Sequence, residues 1–129
     1  MQDIAKSTTE FVAQRLGVPC EYGEFPGKAG CCMVKASPGE PWVRRYLSGG
    51  GIRRFGYEVY LRCLPRGDEG RRVDALALLR GLQSAIDAGE APDGVPVRTH
   101  EVTSLPSQYG VQDDGCVVYQ LTASLTYMA

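Results

Sequence analysis

From Arg53 to Cys63 the chain alternates without a break, with Phe55, Tyr57, Val59, Leu61 and Cys63 on one side and Arg54, Gly56, Glu58, Tyr60 and Arg62 on the other. Extended backbone sends successive side chains to opposite faces, so this pattern predicts a half-buried strand whose apolar face needs a second layer to cover it. Residues Cys116 to Met128 do the same, Val117, Tyr119, Leu121, Ala123, Leu125 and Tyr127 alternating with Val118, Gln120, Thr122, Ser124 and Thr126. The chain carries its own covering layer. From about Gln2 to Leu16, residues Ile4, Thr8, Phe11, Val12 and Leu16 recur at helical spacing, and Gly17 and Pro19 stop the helix. From about Glu69 to Ala88 the period again becomes helical. Ala75, Leu78, Leu79, Leu82, Ala85 and Ile86 fall within a stripe of roughly 120°, opposite Arg80, Gln83, Ser84 and Asp87, with Leu76 off the stripe. Asp68 is the expected N-cap of this helix and Gly89 its stop. Gly81 inside it costs about 1 kcal/mol relative to alanine.

Three shorter stretches read as strands: Gly30–Ala36, Trp42–Leu47 and Val97–Ser104. The glycines after Ser48 form a hairpin turn, Pro65 and Gly67 end the strand that follows it, and LPSQYGVQDDG reads as an ordered loop closing in a tight Asp114-Gly115 turn. The expected fold is α+β in the order α-β-β-β-α-β-β: two helices packed on one face of a mostly antiparallel or mixed sheet of about five strands. The 129 residues make one domain, 1–129, large enough to bury roughly two-thirds of the surface exposed by the unfolded chain.

Several classes of function find no support in the residues. No apolar run reaches the roughly 18 residues of a membrane span, and Asp3 and Glu10 lie where a signal peptide would be basic and then apolar. The expectation is a soluble protein made in the cytoplasm. A net charge of −1 argues against direct binding to nucleic acid or an anionic membrane. Cys20, Cys31, Cys32, Cys63 and Cys116 are odd in number and include no CxxC pair, which points to reduced, structural thiols rather than a disulfide framework or a metal site. The single histidine, His100, has Glu101 beside it, and a strand sends those two side chains to opposite faces, so that neighbour cannot orient it. Gly49-Gly50-Gly51 lacks the Lys-Ser/Thr of a phosphate loop, and Asp113-Asp114 lacks calcium-loop spacing. No catalytic, cofactor or metal residue is therefore assigned, and no enzyme activity is expected.

Charge is nonetheless distributed unevenly. Between Arg44 and Arg80 there are nine arginines against four acids, and from Gly81 onward one base, Arg98, against six acids. Such polarity is compatible with unlike faces of one protein meeting. Arg44-Arg45 and Arg53-Arg54 bracket Gly49, Gly50 and Gly51, and guanidinium groups take planar anions in bidentate fashion. These seven residues are the candidate interface, on a glycine-tipped hairpin expected to project from the body: either a solvated turn or a contact surface for an acidic protein partner or a phosphate backbone.

The C-terminal half, YEVYLRCLPRGDEGRRVDALALLRGLQSAIDAGEAP followed by TSLPSQYGVQDDGCVVYQLTASLTYMA, resembles the small tail terminator proteins of long-tailed bacteriophages, often labelled minor capsid proteins. The helix ending in Leu16-Gly17, the phrase Gly23-Glu24-Phe25-Pro26 and the apolar strand after it are similar to members of that family. The resemblance implies an α+β subunit, of phage or prophage origin, that assembles with itself into a ring, expected as a hexamer. The ring caps the tail tube, contacts the tail tube protein and later joins head-tail connector proteins. It implies a structural role without cofactors, in the bacterial cytoplasm during assembly and then in the virion tail. Another head-tail connector or neck protein is the alternative, followed by a small-molecule binding or resistance-type protein.

Overall fold

A computed structural model describes residues 3–27, 30–63, 69–111 and 116–129, with the backbone alone for 69–74. The elements are α1 (Ile4–Leu16), β1 (Cys20–Tyr22), β2 (Cys31–Ala36), β3 (Trp42–Arg45), β4 (Gly51–Cys63), α2 (Glu69–Asp87), β5 (Val97–Val111) and β6 (Val117–Met128). The α+β class and the two helices are as expected. The strand count is six, because β1 joins the sheet. Three residues are too few to show a period, so β1 is visible only through its parallel pairing with β2.

The sheet order is β1-β2-β4-β6-β5, with β3 also on β4. Every pair except β1–β2 is antiparallel. The two alternating sequences form its centre, β4 and β6 pairing from Ile52↔Met128 to Cys63↔Val117. β2 and β3 share one edge of β4, at residues 57–62 and 51–53 respectively. Between them Ser37–Pro41 leave the sheet and return, held by Ser37 N–H on the Gly56 carbonyl and Arg54 N–H on the Pro41 carbonyl, both at 2.8 Å.

Both helices cover one face, α1 over β1 and β2 and α2 over β5 and β6. The core between the layers contains Phe11, Val12, Leu16, Val34, Tyr57, Val59, Leu61, Leu79, Leu82, Ile86, Leu121 and Leu125, so the apolar sets of β2, β4 and β6 face the apolar stripes of the helices. Asp3 caps α1 by accepting the Lys6 N–H at 3.1 Å, and Gly17 ends it at φ 69°, where L-residues rarely go.

Three local expectations are corrected. The stripe of α2 includes Leu78, but Leu78 is 42% exposed, whereas Leu76, off the stripe beyond Leu79, packs against the core; the helix is turned so that the Leu79 side of the stripe, rather than the Leu78 side, lies on the sheet. The loop expected after Ser104 is strand, β5 running on to Val111. It does so through register shifts at Val102/Ser104, Ser104/Ser107 and Gln108/Gly110. Each shift breaks the period-two pattern, and the outer position of β5 accommodates Pro106, whose missing N–H an inner strand would need. Third, β3 stops at Arg45, and Leu47 is fully exposed. The expected Asp68 cap, the strand end at Pro65 and Gly67 and the turn at Asp113, Asp114 and Gly115 lie outside the described residues.

Candidate functional site

The Arg-flanked hairpin is built differently from the projecting arm its sequence suggests. Its second strand, β4, is an inner strand of the sheet, so only β3 and the turn after it stand at the margin. That turn is fastened: Tyr46 N–H donates to the Gly50 carbonyl and Gly49 N–H to the Tyr46 carbonyl, both at 3.1 Å, and Ala129 N–H at the chain end donates to the Gly51 carbonyl at 2.9 Å. The backbones approach so closely that a Cβ on Gly51 would lie 2.1 Å from the Arg44 carbonyl oxygen, and one on Gly50 2.9 Å from that of Ala129. Glycine here permits dense packing rather than a loose tip.

The four arginines do not act as one group. Trp42 is the register partner of Arg53, so their side chains share a face. Arg45, three residues on from Trp42, would lie opposite in a regular strand, but the register shift between Trp42 and Arg44 brings it back. The Arg53 and Arg45 guanidinium carbons lie 4.3 and 4.7 Å from the Trp42 ring centroid, within cation–π range. Arg44 lies over Tyr46 at 5.9 Å. Arg54 points to the other face, where it borders an open depression of about 350 Å³ with Glu40, Pro41, Gly56, Thr122 and Ser124. Among the described residues no carboxylate pairs with any of these four arginines. Trp42 is the member that sequence reasoning missed. The sequence held no signal for it, since a regular hairpin closing with Arg45 across from Gly51 would set Trp42 across from Arg54, and only the register shift brings it to Arg53.

The resulting site is a basic, aromatic edge. Val43 is 46% exposed, and among the described residues β3 pairs with β4 alone, leaving its outer side without a strand partner. Guanidinium groups held over an indole retain N–H donors of the kind that bind carboxylates in bidentate fashion.

His100, Tyr57 and Tyr60 are engaged in structure. His100 Nδ1–H donates to the Glu90 carbonyl at 2.9 Å, so the neutral ring presents Nε2 to accept the Tyr57 hydroxyl at 2.6 Å. Burial lowers the His100 pKa and raises that of Tyr57. On the open face the Tyr60 hydroxyl donates to Glu58 at 2.6 Å, and burial together with that bond pushes its pKa up. All five cysteines are free thiols. Among the described residues no three His, Cys, Asp or Glu side chains gather as metal ligands, and no helix is long and apolar enough to cross a membrane.

No family model and no curated protein matches the chain.

Proposed function

We propose that this protein is a structural subunit of the phage tail-terminator type, copies of which close into a ring, expected as a hexamer, that caps the tail tube and then meets head-tail connector proteins. The observation that carries the reading is the β3 edge, where Arg45 and Arg53 are braced on Trp42 beside an anchored glycine turn. A ring subunit needs one contact set for its neighbours and another for the tube end. A one-sided sheet with rigid margins supplies two such surfaces. The strongly basic stretch from Arg44 to Arg80 and the acidic remainder of the chain supply unlike charges for copies or tube to match, where complementarity sets encounter rate and register.

The test is the mass of the purified chain in solution, alone and after mixing with the tail tube protein encoded in the same genetic neighbourhood. The expected result is a ring-sized species, or tubes capped at one end, once the tube protein is present. A chain that stays monomeric and leaves tubes uncapped overturns the reading.

A further inference from the structure

β1 is the outermost strand on its side of the sheet and the shortest among the described residues. It pairs parallel to β2 with Cys20 directly across from Cys32. Register partners point their side chains to the same face, and neighbouring strands lie about 4.7–4.9 Å apart, inside the roughly 4.4–6.8 Å Cα separation that a disulfide spans. The two Sγ atoms are 2.8 Å apart, with the Cys20 thiol directed at Cys32. Cys32 is fully buried and Cys20 half-buried, and both are free thiols. The adjacent Cys31 belongs to the opposite face, its thiol directed at the Gly27 carbonyl at 3.3 Å.

We propose that Cys20 and Cys32 are a disulfide-forming pair, a modification site at which a disulfide oxidant such as oxidised glutathione staples the edge strand to the sheet. Cys20, the more accessible of the two, attacks first. Its proton passes to solvent, its thiolate attacks one sulfur of oxidised glutathione, and one reduced glutathione leaves, giving a mixed disulfide on Cys20. Cys32, already in contact, then attacks the Cys20 sulfur; its proton ends on the departing second glutathione. Two protein thiols are oxidised and one glutathione disulfide is reduced to two thiols. The bond closes a loop over residues 20–32 and removes that loop's freedom from the unfolded chain, so the oxidised protein melts about 5–10 °C higher than the reduced one. The inference does not depend on the role proposed above.

The test incubates the full-length protein with oxidised glutathione near neutral pH, blocks remaining thiols by alkylation and digests with trypsin. The expected product links peptide 16–28 to peptide 29–35, and non-reducing melting shows the rise in Tm. Because the second peptide holds both Cys31 and Cys32, the link must survive in Cys31→Ala and vanish in Cys32→Ala. Wild-type protein carrying only glutathione on Cys20, or no modification there, overturns the proposal without recourse to any variant. So does a link that disappears in folded Cys31→Ala, or a cross-linked protein whose Tm is unchanged.

Discussion

His100 is held on both sides of its ring by groups distant in sequence, Tyr57 and Glu90. Its neighbours Thr99 and Glu101 therefore revealed nothing of its role. Replacing it by Phe strands the buried Tyr57 hydroxyl and should cost about 1–3 kcal/mol in urea unfolding. The ring also makes stability depend on pH. Burial lowers its pKa below the ordinary value of 6.5, so the unfolded chain takes up the proton first. This contribution is complete above about pH 6.5 and is lost as pH falls from there through the lowered folded value. Urea midpoints should drop between about pH 7.5 and 5.5 more steeply for wild type than for His100→Gln; equal slopes would refute the assignment. Thr8 makes a complementary case. It is fully buried, and among the described residues no group partners its hydroxyl, so Thr8→Val, similar in shape and relieved of a buried polar group, should gain roughly 1 kcal/mol in thermal unfolding.

At the scale of the element, α2 shows how far periodicity reaches. Leu79 and Leu82 are fully buried against the sheet while Leu78 is 42% exposed. Leu79→Ala or Leu82→Ala should each cost about 2–5 kcal/mol through lost burial and an unfilled cavity, and Leu78→Ala less than about 1 kcal/mol. Equal losses at Leu78 and Leu82 would place the helix in the wrong rotation. The stripe was legible because a straight helix keeps its phase over many residues; the rotation that favours Leu76 over Leu78 was not, because it depends on what lies beneath. β5 illustrates the opposite limit. Three register shifts and Pro106 erase alternation after Val102, and the strand persists because β6 supplies hydrogen bonds along its length. The same kind of shift in β3 decides that Arg45 meets Trp42.

For the whole molecule, the sheet is covered on one face and carries its basic aromatic edge at one margin. If that edge makes the ring or tube contact, Arg45→Glu with Arg53→Glu should leave the fold intact, with at most about 1 kcal/mol lost from each cation–π contact. It should nevertheless weaken ring formation or tube capping, and wild-type capping should weaken as salt rises. Arg54→Glu, on the opposite face, should have the smaller effect. Sedimentation and electron microscopy of capped tubes read both, and normal capping by the double variant at low and high salt would move the contact surface elsewhere. By itself the amino-acid order determined the two helices, the central strands β4 and β6, the α+β class and the apolar faces that meet in the core, since each depends on a period repeated over ten or more residues. Only the tertiary structure decided that β1 joins the sheet, that β5 continues past Pro106, that the glycine turn is tied to Ala129, that Arg45 rejoins Arg53 around Trp42, and that Cys20 meets Cys32. These depend on which strand lies beside which and in what register. Pairing energy is shared between segments far apart in the chain, so no local pattern records it.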